Sequence, residues 1–184
     1  MPDSADNLIE NTLNSELIYD GRIVHLYKET VRLPNAQTAT REVIRHNGAV
    51  AIVAFDADDQ LLLVRQYRQA VRRALLEIPA GTLEPGEAPF DCAVRELQEE
   101  TGYKPGQLLP LGGIYTAPGY TSEFIHLFLA TALSESRLAQ DADEFIELLR
   151  VPLPEALRLI ASGEIADGKS VSGILLAQAR RTAV

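Results

Sequence analysis

Gly81-Thr82-Leu83-Glu84-Pro85-Gly86-Glu87-Ala88-Pro89-Phe90-Asp91-Cys92-Ala93-Val94-Arg95-Glu96-Leu97-Gln98-Glu99-Glu100-Thr101-Gly102-Tyr103 is the stretch on which the reading of this chain turns. It sets a glycine, an isolated acid and an Arg-Glu-Leu-x-Glu-Glu-x-Gly block at fixed offsets. Seven specified residues at roughly 5% each coincide at a given starting point on the order of once in a billion. Glu96, Glu99 and Glu100 stand at i, i+3 and i+4, so they project from one side of a helix. Like charges that close repel, and a cation is their natural compensation. Hard carboxylate oxygens suit Mg²⁺, Mn²⁺ or Ca²⁺. Phe90, Ala93, Val94 and Leu97 recur at helical spacing on a neighbouring face, expected to anchor the helix on a core while the acids face a cleft. Pro89 fits the first turn, Asp91 the positive end of the dipole, and Gly102 the helix stop. A solvated acidic face is the ordinary reading of a glutamate triplet. The fixed positions of Gly81, Glu87 and Arg95 argue against it here.

Those positions are the Nudix box, and through it the chain resembles the Nudix hydrolases. The resemblance implies an α+β fold, a Nudix-type α/β/α sandwich over about residues 40–184, preceded by an N-terminal β-hairpin extension. Residues 1–40 are thus expected to be a leader and dimerisation hairpin, and residues 41–184 the hydrolase domain. The hairpin resembles the extra strands with which ADP-ribose pyrophosphatases dimerise, so a homodimer is expected. The family pattern gives Glu96, Glu99 and Glu100 as metal ligands, with the backbone carbonyl of Ala80 as a further ligand and Mg²⁺ or Mn²⁺ as the cofactor. Arg95 would orient the acids by pairing with them, and Glu87 would support the group; neither is a nucleophile. Divalent ions so held neutralise a pyrophosphate and activate water, which makes hydrolysis of a phosphoanhydride the natural reaction.

The 184 residues, 46% of them hydrophobic, suffice for one well-packed domain. A net charge of −9 opposes an extended phosphate-backbone interface, so no nucleic-acid partner is expected. Cys92 is the only cysteine, which excludes an intrachain disulfide and a cysteine-rich zinc site. Met1 to Asn14 is polar and acidic without an apolar signal core, and no run reaches membrane-spanning length. A cytoplasmic protein with no membrane partner is the expectation. His25, His46 and His126 sit in strand or turn patterns and read as packing residues. No glycine-rich phosphate cradle is present.

Along the chain, residues 1–14 read as a loose leader, and Leu17 to Tyr27 as two strands turning at Asp20-Gly21. A strand is expected over Arg41 to Arg45. Ala49 to Phe55 and Leu61 to Tyr67 are nearly continuous apolar runs, as expected of central strands covered on both faces. Further strands are expected over 107–115, 123–131 and 145–151, and helices over 154–162 and 170–180.

Substrate choice must come from outside the box. Pro118 stands sixteen residues after Gly102, within Ala117-Pro118-Gly119-Tyr120-Thr121-Ser122-Glu123. This resembles the proline-glycine loop ending in an acid of the ADP-ribose pyrophosphatase subgroup, and implies substrate contacts from Pro118 and Glu123. Tyr120 overlaps a marker of the dinucleoside-polyphosphate subgroup. Val64 to Arg68 and Leu76 to Gly81 resemble the ADP-ribose and sugar-nucleotide enzymes and point to Arg68 as a phosphate or ribose contact. The same subgroup implies a general base from the acidic loop Asp141-Ala142-Asp143-Glu144, so Glu144 joins Glu99 and Arg95 as a catalytic candidate, with Glu147 and Asp143 left open. The expected substrate is ADP-ribose or a related nucleoside diphosphate sugar. Other pyrophosphatase substrates (GDP-mannose, dinucleoside polyphosphates) and a non-catalytic ligand sensor are the alternatives.

Overall fold

The computed structural model describes residues 6–139 and 145–182, in two compact units. One comprises residues 1–46 with 117–123, the other residues 47–116 with 124–184.

In the first unit, β1 (Asn11–Asp20), β2 (His25–Arg32) and β3 (Thr38–Arg45) form a three-stranded antiparallel sheet. β1 starts inside the stretch expected to be a loose leader, because pairing with β2 back to Arg32 satisfies its backbone. The connection after Asp20 is a four-residue loop, closed by the Gly21 N–H donating to the Val24 carbonyl at 2.9 Å, instead of a tight Asp-Gly turn. Tyr19 shapes it: a Cβ on Gly21 would lie 2.6 Å from the tyrosine ring. The sheet is longer than the expected hairpin by β3. The 117–123 loop joins this unit through a parallel bridge between Ile44 and Thr121, with the Ile44 N–H donating to the Tyr120 carbonyl at 2.7 Å.

The second unit is built on the apolar runs. β4 (Ala49–Phe55) is buried along its whole length and β5 (Gln60–Arg68) through Leu61 to Val64. A hairpin tip at residues 69–72 leads to β6 (Arg73–Glu77), a strand the sequence did not announce because its first half is exposed and charged. β7 (Ala80–Thr82) then pairs with the start of β4. Helix α1 (Pro89–Thr101) follows, then β8 (Tyr103–Lys104), β9 (Gln107–Tyr115), β10 (Phe124–Thr131), β11 (Ser134–Glu135), β12 (Ile146–Pro152), α2 (Leu153–Ser162) and α3 (Gly168–Thr182). The sheet runs β12-β5-β4-β10-β9, with β6 on β5, and β4 and β10 parallel at its centre.

Strand alternation divides β4 between two cores. Ala49, Ala51, Val53 and Phe55 pack with Leu159, Ile174 and Ala177 of α2 and α3. Val50, Ile52 and Ala54 pack with Cys92, Ala93 and Leu97 of α1. The unit is thus a three-layer α/β/α sandwich and the chain is α+β, as expected. α3 starts two residues earlier than the sequence suggested. Asp167 caps it, its Oδ1 accepting the Ser170 N–H at 3.1 Å.

Candidate active site

The acidic block lies on α1, which leaves β7 through the turn at 83–88. Pro89 opens the helix, and Gly102 closes it in the left-handed region at φ 79°, its N–H donating to the Gln98 carbonyl. Cys92, Ala93, Leu97 and Thr101 form the buried stripe. Phe90, expected among the anchors, is 52% exposed and only meets the Phe128 ring edge-on, with centroids 6.5 Å apart. As the second residue of the helix it lies beyond the covered turn, and Cys92 takes its place.

Arg95 gathers the acids. Its Nε and Nη2 donate to the two oxygens of Glu87 at 2.9 and 3.0 Å, and its Nη1 donates to Glu96 at 2.6 Å and Glu99 at 2.9 Å. Glu87 also accepts the Glu84 N–H at 3.0 Å. The guanidinium in that fork holds the Glu87 carboxyl down at about 2, and Glu87 first, then Glu96, pushes the Arg95 pKa up. Burial and the neighbouring Glu87 carboxylate raise the Cys92 thiol pKa, which keeps it protonated and chemically quiet.

Glu100 is 5% exposed and accepts the Ala80 N–H at 3.0 Å. The β4–β7 ladder explains why that N–H is available. The Ile52 N–H donates to the Pro79 carbonyl at 2.8 Å, which makes 52 and 79 a hydrogen-bonded pair. In an antiparallel ladder the next pair, Ala51 and Ala80, is non-hydrogen-bonded, so the Ala80 N–H and C=O turn away from β4. The N–H meets Glu100, and the carbonyl leaves the strand on the same side. Gly81 makes room for the other acid: a Cβ there would lie 1.9 Å from Cδ and Oε1 of Glu96. The box glycine is therefore a steric requirement of the Glu96 carboxylate.

This donor set fits a divalent metal ion. It offers carboxylates from Glu96, Glu99 and Glu100 and a peptide carbonyl from Ala80, all hard oxygens. Among the described residues no three His, Cys, Asp or Glu side chains already form a cage. Glu96 and Glu99 are turned onto Arg95 and Glu100 onto the Ala80 N–H, so a bound ion would compete with these partners.

The remaining expected residues are distributed more widely. Arg68 donates through Nε and Nη2 to Glu77 at 3.0 and 2.7 Å. Glu77 is 1% exposed and also receives the Lys169 ammonium at 2.5 Å, while Lys169 reaches Asp167 at 2.8 Å. Pairing with Arg68 and Lys169 outweighs burial and holds the Glu77 pKa low. The sequence assigned no site role to Glu77, Asp167, Lys169 or Ser170, although Glu77 stands within the Leu76 to Gly81 stretch that resembles the ADP-ribose and sugar-nucleotide enzymes. A cavity of about 430 Å³, bounded by Tyr115, Ile125, Asp167, Lys169 and Ser172, opens beside this network. Pro118 and Glu123 lie in the loop of the first unit, where Glu123 approaches His46 Nε2 at 3.7 Å. Glu144, with Asp141 and Asp143, falls outside the described residues. Glu147 is 63% exposed at its side chain and pairs with Arg65 at 3.1 Å. Its neighbour Leu148 packs with the α1 core, so alternation along β12 turns Glu147 to the other face.

Comparison with known proteins places this geometry. The NUDIX domain profile matches residues 45–172, and the profile described as the nucleoside diphosphate sugar hydrolase N-terminal domain matches residues 10–44. The chain is 42% identical over 170 residues to the ADP-ribose pyrophosphatase of Bacillus subtilis (strain 168), covering 91% of this chain and 92% of that one. It is 44% identical over 167 residues to the methanol dehydrogenase activator of Bacillus methanolicus, covering 90% of each. A solved structure described as an ADP compounds hydrolase superposes with a TM-score of 0.87 at 27% identity, over 96% of both chains. With an intact box whose acids, arginine and glycine interlock as described, the chain belongs to the Nudix family.

Proposed function

We propose that this chain is an ADP-ribose pyrophosphatase, hydrolysing the pyrophosphate bond of ADP-ribose to AMP and ribose 5-phosphate, with related nucleoside diphosphate sugars as slower substrates. The observation that carries the reading is the gathering of Glu96 and Glu99 on Arg95, beside Glu100 on the outward-turned Ala80 peptide. Relatives bearing the ADP-ribose pyrophosphatase and ADP compounds hydrolase names, matched over nearly the whole chain, support the substrate class.

Glu96, Glu99, Glu100 and the Ala80 carbonyl would hold Mg²⁺, or Mn²⁺, which when bound supplies charge neutralisation at the pyrophosphate and lowers the pKa of water. The chain's own groups do the rest. Arg95 holds the Glu96 and Glu99 carboxylates side by side through its Nη1. Arg68, fixed by the buried Glu77, presents its remaining guanidinium edge as a phosphate donor, with Lys169 as a second cation on the same carboxylate. Pro118 and Glu123 are assigned to the substrate, and Glu144 to the removal of a proton from the attacking water. The Glu144 assignment rests on the sequence; the outward turn and Arg65 pairing of Glu147 favour it over that neighbour. We assign the exposed β1 edge to a homodimer contact. The single cysteine suits a reducing cytoplasm, and among the described residues no helix is long and apolar enough to cross a membrane.

Product chromatography over a panel of ADP-ribose, GDP-mannose and dinucleoside polyphosphates tests the reading. The highest kcat/KM on ADP-ribose is expected. A higher value on GDP-mannose or a dinucleoside polyphosphate would move the assignment within the family, and Mg²⁺- or Mn²⁺-dependent turnover of none would leave a ligand sensor.

A further inference from the structure

The segment Glu77-Ile78-Pro79-Ala80 reaches the acidic site with its polar groups tied on several sides. The Glu77 carboxylate takes Arg68 and Lys169, the Pro79 carbonyl takes the Ile52 N–H, and the Ala80 N–H goes to Glu100. The Ile78 N–H is donated to Ser170 Oγ at 2.9 Å, and Ser170 is wholly buried. Two of these anchors, Lys169 and Ser170, come from the first turn of α3, 92 residues downstream. That turn is itself fixed, since Asp167 accepts both the Ser170 N–H and the Lys169 ammonium. Gly173, one turn on, lets the helix lie directly on the segment: a Cβ there would stand 2.9 Å from Ile78 Cδ1 and 3.1 Å from Val53 Cγ2.

We propose that Ser170 is a positioning residue for the metal site, holding the Ile78 peptide so that the Ala80 carbonyl and N–H, two residues on, keep their place before Glu96 and Glu100. The proposal rests on the reading of Ala80, Glu96, Glu99 and Glu100 as a divalent-ion site. A buried N–H that loses its acceptor must find another or stay unpaired at a cost, and the segment shifts to satisfy it. Pro79 offers no N–H to resist that shift, and the chain between Ile78 and Ala80 is too short to absorb it. The α3 helix, which carries none of the box residues, thereby sets the geometry of the site.

The test is Mn²⁺ affinity, followed by the electron paramagnetic resonance of free Mn²⁺ in wild type, Ser170→Ala, Ser170→Thr and Ile174→Val, each with its melting temperature. Ile174→Val trims the buried face of the same helix while leaving the acceptor of the Ile78 N–H in place. Ser170→Ala should weaken Mn²⁺ binding roughly 10–100-fold, the loss typical of removing a group that orients a ligand. Ser170→Thr, which keeps the acceptor, and Ile174→Val should bind as wild type does. Unchanged affinity in Ser170→Ala overturns the proposal, as does an equal loss in Ser170→Thr or in Ile174→Val. Absence of Mn²⁺ binding by the wild type removes the metal-site reading itself, and this proposal with it.

Discussion

Arg95 is the residue on which the site's electrostatics depend, because one guanidinium satisfies three carboxylates that would otherwise repel. Glu87 records that dependence. Its pKa falls from an ordinary 4.5 to about 2, so its pairing stabilises the fold fully above pH 4.5 and is lost as the pH falls toward 2. Urea unfolding across that interval should show a steeper loss of stability in wild type than in Glu87→Gln; equal slopes would mean that the fork contributes nothing. Glu144 makes a separate prediction. As general base, its replacement in Glu144→Gln lowers kcat by about 10²–10⁴-fold while leaving Mn²⁺ affinity unchanged. A loss below tenfold, or a larger one in Glu147→Gln, removes the assignment.

At the scale of elements, the box is a strand, a turn and a helix whose side chains interlock. Gly81 has no positive φ, and the three atoms nearest a Cβ built there all belong to the Glu96 carboxylate, the flexible end of its side chain, which a Cβ would push aside. Gly81→Ala should therefore fold with little change in melting temperature yet weaken Mn²⁺ binding about 10–100-fold; retained affinity would contradict the packing of Glu96 against this glycine. The elements legible from sequence were those whose burial follows from local pattern: β4 and β5 from their apolar runs, α1 from its periodic acids and core residues. β6 was missed because its exposed half carries arginine, and the start of β1 because its residues are polar and paired only through β2. The box acids, Arg95 and Gly81 were legible because fixed spacing encodes them. Glu77, Lys169 and Ser170 were not, since the contacts joining them span 92 residues and no local pattern marks such a pair.

For the whole molecule, the N-terminal unit leaves all ten residues of β1 exposed, with Leu13, Leu17, Ile18 and Tyr19 each at least 46% accessible. An exposed edge strand of that length carrying four large apolar side chains is a ready surface for pairing with a second copy. Light scattering should give twice the 20.2 kDa chain mass, and Leu17→Lys with Tyr19→Lys should return a single chain; a monomeric wild type defeats the dimer. The central claim, that the acidic helix hydrolyses a pyrophosphate with a divalent ion, is tested most directly by turnover of ADP-ribose in Mg²⁺, with wild type and Glu96→Gln compared before and after chelation. Wild type should release AMP and ribose 5-phosphate in equal amounts and stop on chelation. Glu96→Gln, folded by circular dichroism, should lose at least about 10²-fold, since it keeps the side-chain shape while removing the ligand charge. Turnover that survives chelation, or a folded Glu96→Gln with near-normal rate, would contradict it.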